Sequence, residues 1–203
     1  MTTPRWQAGS IPPSYFEKKY QEEIDPWHFR TSAYEREKYE ATIAALSRPR
    51  YRNALEIGCA IGVLSARLAP RCGRLLAVDA SPTAIAEAAR QNLPNVRFAE
   101  AVMPSEFPEG CFDLIVLSEV LYYFSERDLE RLANKCMDAL SPCGDIIVCH
   151  WLGETNYPLT GHRASDLFYE TISTLRPVRT MLHEGIYRLE RLSFRDTRED
   201  ASK

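Results

Sequence analysis

From Ala54 to Cys149, short apolar runs alternate with stretches of helical periodicity, the pattern of βα units laid on a parallel sheet. Five runs predict strands: NALEI (53–57), RLLAV (74–78), NVRFA (95–99), DLIVL (113–117) and DIIVC (145–149). The intervening helices bring their own start signals. Ser81 followed by Pro82 predicts an N-cap with proline in the first turn, and Ser125 with Asp128 forms a capping-box-like pair. Leu129, Leu132, Ala133, Cys136 and Leu140 then fall on one stripe that faces the sheet. Ahead of the first strand, Ser32 and Glu35 form another capping box, with Tyr39, Ile43 and Leu46 lining one face of a helix that reaches about Ser47. The segments YFEKKY and DPWHF before it hold more aromatics than a linker needs, so this leader packs over something. After His150 the periodicity is interrupted by Pro158, Gly161 and Pro177. PVRTMLHEGIYRLERLSF (177–194) still supplies two closing strands, and RDTREDASK reads as a frayed tail.

A chain of 203 residues with this pattern is expected to form one domain over 1–203. Residues 1–48 would be a helical leader or lid and 51–150 the ligand-binding core. Residues 151–194 would supply a helix on the acceptor side and the closing strands. A composition of 45% hydrophobic and 26% charged residues is ordinary for a globular protein. The net charge of −3 leaves no basic surplus to neutralise phosphates, which argues against nucleic acid as main partner and favours a small or neutral substrate. No run of about 18 apolar residues and no signal-peptide core occurs, so the expected setting is cytoplasmic, without membrane insertion. Six cysteines without a CxxC pair read as reduced, buried thiols, with neither a metal site nor a disulfide framework. Oligomeric state is left open.

The chemistry gathers at LEIGCAIG (55–62). Gly58 and Gly62 permit a sharp turn between strand and helix, where a ligand can approach the main chain and meet unpaired N–H groups; a tight βα turn without a ligand would use the same residues. Asp79 ends the next strand 21 residues beyond Gly58, where a carboxylate can accept hydrogen bonds from both hydroxyls of a ribose, cap the helix opening at Ser81, or do both. A dinucleotide fingerprint would need glycines at 58, 60 and 63, but Ala60 and Val63 stand at the last two. The pattern that fits begins with Glu56-x-Gly58-x-x-x-Gly62. Asp79 follows, then FDLIVLSEVLYYF at the fourth strand and LSPCGDIIVC at the fifth.

Over residues 51 to 150 the chain resembles class I methyltransferases that use S-adenosylmethionine and release S-adenosylhomocysteine. The implied fold is an α/β Rossmann-like one, a mostly parallel seven-stranded sheet flanked by helices, with an N-terminal helical lid. Two positions depart from the family pattern: Ala60 replaces its middle glycine and Cys143 a glycine of the L-x-P-G-G turn. The turn at Ala60 should survive provided its φ is negative. The resemblance implies Glu100 as the adenine-side acid. Ala80, Ala101, Ser118 and Trp27 complete the implied cofactor set, and Tyr20 and Arg36 would close over the methionine carboxylate. With YFEKKYQEEIDPWHFRTSAYEREKYEATIAAL and HWLGETNYPLTG included, the chain is similar to the rhizobial nodulation protein S family over nearly its whole length. That resemblance implies N-methylation of the free amine on the non-reducing glucosamine of a de-N-acetylated chitooligosaccharide, a Nod-factor precursor. Methylation of another small amine or hydroxyl, or cofactor binding without turnover, are the competing readings.

Transfer from a sulfonium is an in-line displacement that needs orientation and electrostatics but no metal. An amine attacks only when neutral, so a group must take its proton. Glu119, at the end of the fourth strand, is the first candidate base and His150, at the end of the fifth, the second; a helix cap and a packed core histidine are the plain alternatives. Tyr122, Tyr123 and Trp151 are candidates to stack on a sugar ring, Trp27 and Phe29 likewise, though aromatics at this density also serve as packing.

Overall fold

A computed structural model describes residue 6 and residues 9–194; the tail expected at 195–203 lies outside the described residues. Among the described residues the chain forms six α-helices, α1 (Pro13–Glu22), α2 (Ala33–Ala44), α3 (Val63–Leu68), α4 (Pro82–Ala89), α5 (Glu126–Ala139) and α6 (Gly161–Ile172). They flank seven strands: β1 (Tyr51–Ile57), β2 (Cys72–Asp79), β3 (Val96–Glu100), β4 (Phe112–Ser118), β5 (Leu140–Trp151), β6 (Val178–Glu184) and β7 (Tyr187–Ser193). The strands make one sheet in the order β3-β2-β1-β4-β5-β7-β6. The first five run parallel, and β7 lies antiparallel to both of its neighbours. The strand order therefore reverses between β1 and β4, and the open crevice of such a sheet lies beyond the carboxyl ends of those strands.

Both faces of the sheet are covered, which is why its central strands read as unbroken apolar runs and not as alternating ones. Leu55, Ile57, Ile115, Leu117, Ile146 and Val148 point to the side packed by α5 and α6 through Leu129, Leu132, Ala133, Cys136, Ala164 and Phe168. Ala54, Leu114, Val116, Ile147 and Cys149 point to the other side, against Tyr39, Leu64 and Leu68. The expected caps are in place: the hydroxyls of Ser32, Ser81 and Ser125 accept from the N–H groups of Glu35, Ala84 and Asp128. Thr160 caps α6 in the same way, although proline and glycine around it hide this helix in the sequence. The helix expected to reach Ser47 closes at Ala44, and Leu140 leaves the α5 stripe to open β5.

The closing strands include one exposed edge. Among the described residues β6 pairs on one side alone; Val178, Met181 and Leu182 are exposed along it, and its register with β7 shifts between Met181 and His183. All six cysteines are free thiols, but Cys111 is exposed, against expectation, because it sits on the loop just ahead of β4 and not on an element that faces the core. Among the described residues no helix is long and apolar enough to cross a membrane.

Both substituted glycines of the family pattern keep the left-handed backbone that a glycine would have adopted. Ala60 has φ +51 and Cys143 φ +63, so the negative φ expected at Ala60 is not found. The turn survives because its carbonyl and amide groups are bound from outside. Gly58 and Cys59 donate to the Val78 carbonyl at 2.8 and 3.0 Å, and Ala60 donates to Asp79 Oδ2 at 2.9 Å. An L-residue in this region costs about 1–2 kcal/mol, whereas glycine costs about 0.4–1 kcal/mol through the unfolded chain. Cys143→Gly, remote from the crevice, should therefore stabilise the protein by about 0.5–1 kcal/mol, read from the urea midpoint at unchanged slope.

Candidate active site

A cleft of about 690 Å³ opens at the carboxyl ends of β1, β2, β4 and β5. Its floor is the loop from Glu56 to Ala60. Gly58 (φ +78) must be glycine here, since a Cβ would also press within 3.1 Å of Val120. Gly62 (φ +79) caps α3 behind the floor and does not line the cleft; a Cβ there would stand 2.6 Å from the Gln91 amide. Asp79, Ala80 and Ala101 form the β2 side, and Ser118, Glu119 and Tyr122 the β4 side. Tyr20 and Trp27 close it from the leader.

Asp79 does two structural jobs while facing the cleft. One carboxylate oxygen accepts from Ala60 N and the other from Ser81 N, both at 2.9 Å, so it pins the glycine loop to the start of α4. Burial raises its pKa from the ordinary value even though these backbone bonds pull the other way. Each oxygen still has a lone pair to offer a hydroxyl. Glu56 is buried and accepts from Ser65 Oγ at 2.6 Å; burial pushes its pKa up to about 8. It supports the loop from below.

The leader is fixed over this floor at several points. Glu17 on α1 accepts from Ser81 Oγ and Thr83 Oγ1, each at 2.6 Å, and so caps α4 from outside that helix. Asp25 accepts from the N–H groups of Phe29 and Arg30, and Ser10 Oγ donates to Asp128 Oδ2 at 2.6 Å. The rings of Trp27 and Phe29 stack at 5.7 Å, with Tyr20 edge-on to Trp27, and this aromatic layer packs with Ile61, Ala84 and Ala60.

On the opposite wall stands a charge cluster with one member that no motif announces. Lys38 is 1% exposed, and its Nζ donates to Glu35 Oε1 at 2.8 Å and to Glu119 Oε1 at 2.5 Å. Glu119 Oε2 accepts from Tyr122 Oη at 2.6 Å and from Trp151 N at 3.0 Å. Burial would raise the Glu119 pKa, but the Lys38 charge, with the Lys38 and Tyr122 hydrogen bonds, holds it below the ordinary value. For Lys38, burial is outweighed by the two carboxylates and the pKa rises. The signal in the sequence is a lysine on the buried stripe of a helix: Glu35, Lys38, Tyr39 and Thr42 share one face of α2.

Besides Gly62, three expected site residues stand elsewhere. Arg36 is exposed on the solvent side of α2, about 100° around the helix from Glu35, and does not line the cleft. Glu100 is exposed at the end of β3; Ala101 after it lines the cleft instead and donates to the Asp79 carbonyl. His150 is fully buried, and its Nε2 accepts from the N–H groups of Val120 and Leu121 at 3.2 and 2.9 Å. The ring proton therefore sits on Nδ1, the basic nitrogen is occupied, and burial pushes the pKa down to about 4. This histidine shapes the β4 loop and is no base. Of the aromatics, Tyr122 is buried, with its ring stacked on Tyr157 and its hydroxyl on Glu119, which leaves little ring surface for a sugar. Tyr123 and the partly exposed Trp151 line the cleft with more ring surface available.

Comparison with known proteins matches residues 15–150 to the family described as nodulation protein S (NodS). The chain is similar to nodulation protein S of Sinorhizobium fredii, 32% identical over 173 residues that span 83% of this chain and 75% of that protein. A crystal structure of a candidate methyltransferase from Pseudomonas syringae is 38% identical with TM-score 0.69, covering 80% of this chain and 99% of that one. The fold also matches that of the N-methyltransferase NodS from Bradyrhizobium japonicum WM9, in complex with S-adenosyl-l-homocysteine. There the TM-score is 0.76 at 24% identity, over 89% of this chain and 98% of that chain.

The Lys38 cluster makes a pH signature. Because the folded pKa of Glu119 is depressed, its ion pair contributes fully above the unfolded carboxylate value, near 4.3, and is lost as pH falls through the folded value. Glu119→Gln should destabilise the protein at pH 7 by about 2–3 kcal/mol, with a shallower loss of stability on acidification. Urea unfolding from pH 3 to pH 7 reads both effects.

Proposed function

Because the chain belongs to the nodulation protein S family, we propose that it is an S-adenosylmethionine-dependent N-methyltransferase that acts on the free amine of the non-reducing glucosamine of a de-N-acetylated chitooligosaccharide. The observation that supports the cofactor best is Asp79 at the tip of β2, facing a glycine-floored cleft with lone pairs still open. The close approach at Gly58, the aromatic layer of Trp27 and Tyr20, and a volume suited to a nucleoside with an acceptor beside it agree with that fit. When bound, S-adenosylmethionine supplies an electrophilic methyl on a sulfonium. Asp79 receives the ribose hydroxyls, and Ala101 with Ala80 forms the base-side wall.

The acceptor occupies the β4–β5 side, where Glu119 and Trp151 line the cleft. Trp151 and Tyr123 offer ring surface to the apolar face of a sugar. Glu119, at the sulfonium end, is an electrostatic anchor: its low basicity and three hydrogen bonds suit the holding of positive charge more than the removal of a proton. The leader, residues 13–36, is the lid of this cleft, tied to the start of α4 by Glu17.

Three experiments test this reading. Incubated with S-adenosylmethionine and de-N-acetylated chitooligosaccharide, the protein should place one methyl on the terminal nitrogen, seen by mass spectrometry. The fully acetylated oligomer should be inert, and the rate should rise with pH as the amine loses its proton. Asp79→Ala should weaken S-adenosylhomocysteine binding by about 1–3 kcal/mol in calorimetry. Unmethylated oligomer at saturating cofactor overturns the substrate, and unchanged affinity in the variant or a preference for NAD overturns the cofactor assignment. In the third experiment, amide hydrogen exchange over residues 13–36 should slow when S-adenosylhomocysteine is added; exchange indifferent to the ligand would reduce the leader to plain packing.

A further inference from the structure

Among the described carboxylates that line the cleft, Glu35 alone has a buried oxygen without a hydrogen-bond partner. It is 8% exposed and lines the cleft; Oε1 is taken by Lys38, while Oε2 is buried without a well-formed hydrogen bond among the described residues, although the Tyr39 hydroxyl approaches the same carboxylate. Beside it on α2, Tyr34 lines the same cleft, and its hydroxyl is likewise buried and without a partner among the described residues. Lys38 is fully engaged: its Nζ bridges Glu35 and Glu119 and lies 4.9 Å over the Tyr34 ring. One ammonium thus faces two carboxylates, and the formal charge of the cluster is −1. A buried acceptor without a donor, inside a cluster with an uncompensated negative charge, is costly unless a cation with N–H groups completes it.

The position tells which cation. Asp79 ends β2, while Glu119 follows β4, and β1 lies between them in the sheet. The two sites are therefore about 10 Å apart across the crevice, at roughly 5 Å per strand. Glu119 is also bound by the Trp151 N–H at the end of β5, which puts the cluster on the acceptor side of the crevice.

We propose that Glu35 is the specificity-determining residue for the acceptor: its free Oε2, with the Tyr34 hydroxyl, receives the acceptor's amine as the ammonium ion, which gives one proton to water in the open cleft before the neutral nitrogen attacks, while Lys38 holds Glu35 and Glu119 in place. The site then selects cationic amines over hydroxyl, amide and anionic acceptors, since a neutral donor could satisfy the buried oxygen but would leave the charge of the cluster uncompensated. This deepens the methyltransferase reading above and rests on it.

The test is calorimetric titration of the protein saturated with S-adenosylhomocysteine, using a glucosamine trimer and its fully acetylated counterpart. The native protein should prefer the amine trimer by about tenfold or more, and Glu35→Gln should abolish this preference while S-adenosylhomocysteine affinity changes less than about twofold. Should Glu35→Gln fail to fold in thermal unfolding, Glu35→Asp, which keeps the charge but withdraws it by one methylene, should show a reduced preference. Two results overturn the proposal: a native protein that does not discriminate between the trimers, or a variant that loses cofactor affinity while its preference persists. The second would assign the cluster to the cofactor's own ammonium. Methyl transfer to the trimer is scored separately, so a protein that prefers the amine but transfers nothing overturns the substrate reading and leaves the role of Glu35 standing.

Discussion

The Asp79 carboxylate sits where three parts of the chain meet, and the geometry of the crevice depends on it. Through Ala60 N it fixes a loop whose backbone is left-handed at Gly58, Ala60 and Gly62. Through Ser81 N it fixes the start of α4, and the Ser81 hydroxyl then donates to Glu17 in the leader. A single half-buried carboxylate, bonded to backbone donors, thus links the glycine floor, the sheet and the leader in one hydrogen-bonded path. Burial of such a group is affordable because each oxygen has a donor within the protein, the condition under which buried polar networks rigidify a structure.

The parallel sheet was legible in the chain because a sheet covered on both faces demands consecutive apolar residues, a demand that NALEI, DLIVL and DIIVC state openly, whereas the order of its strands is set by pairing between distant segments. Helix starts were legible for a local reason: Ser32, Ser81 and Ser125 act within three residues of themselves. Residues whose roles are set by distant partners were not. Lys38 reads as an ordinary solvent-facing lysine until Glu119, 81 positions away, is brought against it. Arg36 and Glu100 had the right charge at nearly the right place, but one helical step or one strand step turns a side chain out of the cleft. His150 lay at the right strand end and was claimed by backbone donors of the neighbouring loop.

The two walls of the crevice are built by opposite means. On the β1–β2 side the main chain does the shaping, with glycines admitting a close approach that side chains would block. On the β4–β5 side charged and aromatic side chains do it, and the backbone bends to present them: Glu119 itself is left-handed, at φ +55. A non-glycine residue held in that region is a strained position, sustained here by the Glu119 N–H bond to the Cys149 carbonyl and by the carboxylate's own three partners. Strain of this kind accumulates where a side chain must be aimed and not merely buried.

The edge strand β6 has a consequence for how the protein behaves at high concentration. A strand with one unpaired side and exposed Val178, Met181 and Leu182 is a template on which a further chain could add by main-chain pairing. The register shift between Met181 and His183 interrupts the evenly spaced row of donors and acceptors that such addition requires, and Arg179 and Glu184 at its two ends set charges beside the apolar stretch. The irregularity that makes the last hairpin look imperfect is thus a guard against fibrillar self-association.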